Sequence, residues 1–455
     1  MKHGAPQDPS GDAAPPLRVG LSSVVTTPDK PVWLYGYASQ RRQTPFEGKM
    51  HDLYAKAIAF EDEQGAKSVL VTVDLCVLRK PEAERVLSRI AERTGLPHER
   101  IIVNLSHTHS GPIIGEEDPN RFPMPPEMRE RVRAYTDKLV ERLAEAAVAA
   151  LEDLRPAKVS WGRGQVGFVR NRRLLDEQGR YRGMKPYPDG FTDPRVTVLR
   201  VDEPDGAPRA YVCSLACHAV TLGDKNLKLC GDYPGFAKAL LEERWPGTQA
   251  LFVQGCGADA NSHPRSTPDQ MEWAQRQGGE LAQEVERVAN GPLAPVRGPI
   301  RAAHTWLDLP LRRMAREEMQ EAAEGPSYQS HNPKRMLEML DRGQELPASY
   351  RTPVGVWRFG EDLTLVALPG ETVSGFIPRM EEIFGAKRLW VAGYCNEVFG
   401  YLPTARIVEE GGYEDRGLVR EVGLFDASAE EMVVEGVRRL AEKVGVAPQP
   451  TRAAS

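Results

Sequence analysis

Residues 81–109, PEAERVLSRIAERTGLPHERIIVNLSHTH, set a helix against a strand and end in two histidines one residue apart. In the first half Val86, Leu87, Ile90 and Leu96 recur at helical spacing. In the second, RIIVNL is an apolar run of the kind a buried strand carries. Just upstream, LYAKAIAFEDEQGAKSVLVTVDLCVL (53–78) reads as two strands joined at a Gly turn. Strand, helix and strand in succession predict an α/β fold, mixed β-sheets flanked by helices.

Working outward, RVGLSSVVT (18–26) predicts a strand, and PEMRERVRAYTDKLVERLAEAAVAALEDL (126–154) a long helix with Val132, Tyr135, Leu139, Leu143 and Ala146 on one side. Residues 194–223 form a hairpin-like pair around an acidic turn, followed by helices at 235–245 and 267–291 with the strand ALFVQGCGADAN (250–261) between them. Residues 310–350 are charged and helical, and the stretches 362–371 and 387–403 are strands that end in loops. There is no repeat of fixed period and no linker that splits the chain. The expected organisation is one catalytic unit over 17–447, between a disordered tail at 1–16 and a C-terminal tail at 448–455.

Composition narrows the function. The 455 residues are 41% hydrophobic with a net charge of −5, and no Lys/Arg block stands out, so nucleic acid is a poor partner. No run approaches the roughly 18 apolar residues of a membrane span. The start, MKHGAPQDPSGDAAPP, has no apolar segment of the kind a secretory signal needs, so a cytoplasmic location is expected. The six cysteines are scattered and several sit in apolar surroundings, which favours free thiols over a disulfide framework.

Chemistry-bearing residues cluster at strand ends. Alternate residues of a strand share a face, so His107 and His109 would point the same way, one as a metal ligand and one as an acid/base group; a core histidine beside a surface one fits the same pattern. His218 follows the apolar run Ser214–Cys217, and Asp232 then suits a helix cap better than a carboxylate orienting a ligand. The loop after Val253, with Gly255, Gly257, Asp259 and Asn261, permits close approach of backbone to a ligand, or is a tight strand–helix connection. Glu371 stands after a Pro–Gly turn, as a ligand or as a surface carboxylate. Two imidazoles and a carboxylate suit zinc with an open position, which from spacing alone means no more than a metal hydrolase.

In this order the pieces resemble the neutral/alkaline non-lysosomal ceramidase family: EGKMHDLYAKAIAFED (47–62), SHTHSGP (106–112), VRNRR (169–173), CHAVTLGDKNLKLCGDYPGFAKALLEE (217–243), FVQGCGADANSHP (252–264), LPGE (368–371) and NEVFGYLPTARIVEEGGYE (396–414). The likeness is to the N-terminal catalytic domain, closer to short ceramidase-like members than to full-length ones with their C-terminal β-sandwich. Carried over by position, it implies Zn2+ held by His107, His218, Glu371 and Tyr401. It implies His109 as proton carrier, Tyr413 and Arg172 as oxyanion donors, and Asn171, Asp259 and Asn261 as substrate contacts. The implied activity is hydrolysis of a linear amide by metal-activated water, on a small N-acyl or lipid-like substrate, by a chain free to form a homo-oligomer. Asn261 stands where the family carries a serine, and an amide cannot act as nucleophile. A catalytically silent ligand-binding protein on this fold and a metal-dependent esterase are the alternatives.

Overall fold

The computed structural model describes residues 17–37, 42–116, 122–325 and 327–446. The expected tails at 1–16 and 448–455 lie outside the described residues. The described residues build three main sheets, one from each consecutive third of the chain, and three two-stranded ones.

The first third holds β1 (Arg18–Val25), β2 (Tyr54–Glu61), β3 (Lys67–Val73), α1 (Lys80–Thr94), β4 (Ile101–Leu105), α2 (Pro126–Glu152) and β5 (Arg155–Pro156), in sheet order β4-β3-β2-β1-β5. The hairpin at 54–73 is antiparallel, and α1 carries the chain across to β4, which pairs parallel with β3. Pro81 starts α1, and Gly95, in a left-handed conformation, ends it by donating its N–H to the Ala91 carbonyl. Gly20 lets α2 lie directly on β1: a Cβ there would stand 1.9 Å from the Ala150 carbonyl oxygen.

The second third adds β6 (Lys158–Gln165), β7 (Val169–Asn171), β8 (Arg173–Leu175), β9 (Tyr181–Met184), β10 (Arg195–Asp202), β11 (Pro208–Leu215), α3 (Asp232–Arg244), β12 (Gln249–Gln254), β13 (Ala260–Ser262), α4 (Gln270–Ala289) and β14 (Ala294–Val296). Its main sheet runs β12-β11-β10-β6-β14, with β11 and β12 parallel across α3. The last third contributes β15 (Ile300–Pro310), α5 (Arg316–Ala323), α6 (Ser327–Asp341), β16 (Ser349–Phe359), β17 (Leu363–Ala367), β18 (Glu371–Thr372), α7 (Phe376–Phe384), β19 (Leu389–Ala392), β20 (Tyr401–Leu402), α8 (Ala405–Glu410) and α9 (Ala429–Lys443). Here the order is β15-β16-β17-β19, with β17 and β19 parallel across α7.

The period-2 alternation of the strands sorts side chains into two kinds of core. Inward residues of all three sheets meet in one cluster: Ile58, Phe60, Leu70 and Ile102 from the first, Trp161, Leu199 and Leu251 from the second, Trp357, Leu365 and Trp390 from the third. Outward residues pack under helices. Ala57, Val71 and Val103 lie with α1 and α2 residues, Val356 and Val366 with α7 and α9 residues, and Val198, Cys213 and Phe252 with α3 and α4 residues. The expected fold class therefore stands, and the helices at 80–94, 126–152, 232–244 and 270–289 match the periodic stretches. Strands β6, β15 and β16, and helices α7 and α9, escaped the reading; KVSWGRGQ and IRAAHTWLDLP mix charged and apolar residues too irregularly to show a period.

One polar side chain joins the three sheets. Asn104, near the end of β4, is fully buried. Its amide nitrogen donates to the carbonyls of Gln254 at 3.2 Å and Gly393 at 2.7 Å, and its oxygen accepts from the Gln254 N–H at 2.8 Å. All six cysteines are buried free thiols, as expected, and burial pushes the Cys213 thiol up to about 12. Among the described residues no helix is long and apolar enough to cross a membrane.

Removing the Asn104 amide strands three buried backbone groups at about 1–3 kcal/mol each. Asn104→Ala is expected to lower unfolding free energy by about 3 kcal/mol or more in urea titrations at unchanged m. Asn104→Asp, which sets an acceptor against two carbonyls, is expected to cost at least as much.

Candidate metal centre and its cavity

Each sheet delivers one ligand-type side chain just past the C-terminal end of a strand from its parallel pair. His107 follows β4, His218 follows β11 and Glu371 follows β17. Strand alternation is not what aligns the first histidine pair. β4 ends at Leu105, and His107 sits at φ 56°, a left-handed conformation uncommon for a residue with a Cβ. That turn brings His107 Nε2 to 3.1 Å from His109 Nε2.

Two backbone carbonyls decide how the imidazoles face. His107 Nδ1 lies 2.6 Å from the Cys76 carbonyl oxygen, and His218 Nδ1 lies 2.9 Å from that of Gly257. A carbonyl only accepts, so each Nδ1 carries a proton and each ring turns its Nε2 toward Glu371. Gly257 is required there, since a Cβ would lie 2.3 Å from the Cys217 nitrogen. Both Nε2 atoms stand 3.3 Å from Glu371 Oε2. His218 Nε2 and Glu371 Oε2 are buried, yet neither makes a hydrogen bond. Donors about 2.0–2.1 Å from a tetrahedral zinc stand about 3.4 Å apart. The unsatisfied atoms and their separations therefore fit a divalent cation.

Electrostatics suit the same ion. Burial, and then Arg172, pushes His218 down to about 3. Burial together with His107 and His218 holds His109 well below the ordinary histidine range. Glu371 is held well below the usual carboxylate range by His107 and His218, against the opposing effect of burial. Against the opposing effect of burial, Cys76 and Glu371 raise His107 to about 10, so a cation bound there would displace a proton from His107, since metal takes the neutral imidazole and the ionised carboxylate.

Behind this triad lies a buried layer. β18 pairs with β20 so that Glu371 stands beside Tyr401. The Arg172 guanidinium donates to Tyr401 Oη at 3.0 Å, to Asn261 Oδ1 at 3.2 Å and to Glu414 Oε1 at 2.7 Å. Arg173 also pairs with Glu414. Arg172 and Arg173 are thus interior residues, where a cluster of arginines ordinarily marks a solvated face. Tyr413 Oη accepts from Arg416 at 2.9 Å, and the Arg416 guanidinium stacks 4.9 Å from the Tyr401 ring and 4.5 Å from the Tyr413 ring.

His107, His109, Glu371, Tyr401, Tyr413 and Arg416 line one cavity of about 500 Å³. Phe122 lines it too, stacked on Tyr35 at 5.6 Å, whereas Met128 belongs to the core under α2. Asp259 and Asn171 face elsewhere. Both Asp259 carboxylate oxygens accept from Ser374 at 2.7 Å, and the Asn171 amide spans the Phe191 carbonyl and the Arg173 N–H. Asp232 accepts from the backbone of Thr221, Leu222 and Tyr233, tying the loop after His218 to the start of α3. Sequence reasoning missed Tyr394, whose ring lies 4.7 Å from the His107 ring and whose hydroxyl has no hydrogen-bond partner, and it missed Arg416. The only hint of either was position: one follows a strand end, the other trails the GGYE motif by two residues.

The sequence model described as neutral/alkaline non-lysosomal ceramidase, N-terminal, matches residues 18–257. The chain belongs to that family. The match carries His107, His109, Arg172 and His218; Glu371, Tyr401 and Tyr413 lie beyond it and join the site through the fold. Among curated relatives of this ceramidase-family chain, neutral ceramidase A of Dictyostelium discoideum is 23% identical over 65% of the chain and 47% of its own length. Neutral ceramidase 1 of Arabidopsis thaliana is 24% identical over 61% of the chain and 36% of its own length. The chain thus spans about half the length of such relatives, or less. In fold it is similar to the crystal structure of neutral ceramidase from Pseudomonas aeruginosa, with a TM-score of 0.74 and 21% identity over 97% of this chain and 77% of that one.

Glu414 is the carboxylate shared by two buried guanidinium groups. Glu414→Gln is expected to destabilise the chain by about 3–5 kcal/mol in urea titration, because it leaves uncompensated buried charge.

Proposed function

We propose that this ceramidase-family chain is a zinc-dependent hydrolase of N-acyl amides. The observation that carries the reading is that His107 Nε2 and His218 Nε2 each stand 3.3 Å from Glu371 Oε2, while buried His218 Nε2 and Glu371 Oε2 make no hydrogen bond. With Tyr401 beside Glu371, the donors would be two nitrogens and two oxygens, a set that suits zinc with a position left open. Zinc held there would make a water acidic near neutral pH and polarise an amide carbonyl.

The chain's own groups do the rest. His109, neutral and on the cavity wall, takes a proton from the attacking water at Nε2 and returns it to the departing nitrogen. Tyr413, whose oxygen accepts from Arg416, turns its own O–H toward the oxygen that gains charge. Arg172 is proposed to support that charge through the Tyr401 oxygen it already contacts. Asn261 spends its side-chain oxygen on Arg172, which favours attack by water over a side-chain nucleophile. Asp259 and Asn171 are proposed to shape the substrate site by holding its loops. The same centre would cleave an ester, whose leaving group needs less help from His109.

His107→Ala and Glu371→Ala are each expected to reduce zinc from about one per chain to a trace in elemental analysis. His109→Ala should keep its zinc and lose about 100- to 10,000-fold in kcat on an N-acyl amide. Tyr413→Phe should lower kcat by about 100-fold with little change in KM. A zinc-free wild-type chain that turns over neither amide nor ester would make the protein a ligand-binding member of the family.

A further inference from the structure

The substrate of this site is legible in the charge of what surrounds it. The cavity of about 500 Å³ adjoins a larger one of about 1290 Å³, with His331 bordering both. The larger opening is walled by α1, α2 and the charged helix α6. Seven basic side chains line it, Arg85, Arg129, Arg133, Lys334, Arg335, Arg342 and Arg420, against four acidic ones, Glu82, Glu116, Asp137 and Glu338. Three of the acids are already taken: Asp137 by Arg85 at 2.6 Å, Glu116 by Arg133 at 3.5 Å and Glu82 by Arg420 at 3.7 Å. Arg335 donates to the Glu421 carbonyl at 3.2 Å, a neutral partner. Arg129, Lys334 and Arg342 make no ion pair with any described carboxylate. The wall therefore keeps an excess of positive charge, although the chain as a whole carries −5.

The excess continues inward. Arg416, on the wall of the inner cavity, has no described carboxylate partner; it gives one N–H to Tyr413, and its Nε is buried without any. A guanidinium with an unused edge is a receptor for a planar or tetrahedral oxyanion. The inner cavity also has an apolar side, Val77, Phe122, Val398, Leu418 and Val419, fit for an acyl chain. A neutral, hydroxyl-bearing amine portion would add no counter-charge to Arg416 or to the basic wall. An anionic one would satisfy them.

Building on the amidase reading, we propose that the preferred substrates are N-acyl compounds whose amine portion carries an anionic group. That group, a carboxylate, sulfonate or phosphate, is drawn in by the wall of Arg129, Lys334, Arg335 and Arg342 and held by Arg416. The acyl chain lies against the apolar side, with the amide carbonyl at the His107–His218–Glu371 cluster.

The test uses the zinc-loaded full chain and soluble octanoyl amides of glycine, taurine, ethanolamine and ethylenediamine, which are respectively two anions, a neutral compound and a cation. The expected result is a kcat/KM for the two anions about ten-fold or more above that for the ethanolamide, lost as salt rises from about 0.02 to about 0.3 M, with the cation poorest. The double variant Lys334→Glu/Arg342→Glu, at exposed positions of α6 and the turn after it, should cut the anion-over-neutral ratio about ten-fold with circular dichroism and zinc content unchanged. Equal or better turnover of the ethanolamide, insensitive to salt, overturns the proposal and leaves the amidase reading standing. If nothing is hydrolysed, the amidase reading falls, and calorimetric titration with the same four compounds decides: selective binding of the anions supports the proposal and indifferent or absent binding overturns it. A preference for anions that appears only in phosphatidylglycerol vesicles assigns the basic wall to a membrane surface and likewise overturns it.

Discussion

The Asn104 amide is the joint on which this architecture turns. Three sheets that share an apolar centre can slide against one another, because hydrophobic contact has no direction. Hydrogen bonds do. Asn104 spends both N–H groups on carbonyls of the second and third sheets and its oxygen on an N–H of the second. Left unmade in a fully buried place, each of those bonds would cost more than it contributes when made. The strand ends are thereby held in register, and those ends carry the metal-type side chains. His107 is three residues beyond Asn104, and Cys395, two beyond Gly393, bridges to Asn104 itself.

Around that joint the chain tolerates local strain and buried charge that a plain core would reject. His107, Asp232, Tyr394 and Asn396 adopt left-handed backbone, each at an estimated cost on the order of 1–3 kcal/mol. Arg172, Arg173, Glu371 and Glu414 are charged and buried. The charges settle as pairs where the structure supplies a partner, as with the two arginines on Glu414. At Glu371 Oε2, by contrast, two imidazole nitrogens stand 3.3 Å away and no hydrogen bond is made. A carboxylate and two imidazoles placed this way suit a cation, so electrostatics support the metal-site reading alongside family membership.

Much of the fold could be read from periodicity. The hairpin at 54–73, α1, β4, α2, α3, β12 and α4 each show their own pattern over a short window, because a helix or buried strand repeats its environment every few residues. Edge and mixed strands such as β15 and β16 do not, and they were found only in three dimensions. The motif residues were also legible one by one, yet their neighbours were not. Nothing in the sequence singles out Asn104, Tyr394 or Arg416, because their roles depend on partners distant along the chain.

By itself the sequence determined the local grammar of this protein: where helices and strands form, which polar side chains stand just past strand ends, and, through the order of its motifs, which family it resembles. Those are properties of short segments. Tertiary structure decided what those segments mean together. Arg172 and Tyr401 are 229 residues apart, and Asn104 and Gly393 are 289 apart, yet both pairs touch. Only packing three sheets from three thirds of the chain around one core makes such contacts. That packing also creates the cavity, its apolar side and its basic wall, since a surface's charge depends on which residues it gathers and which of them already have partners.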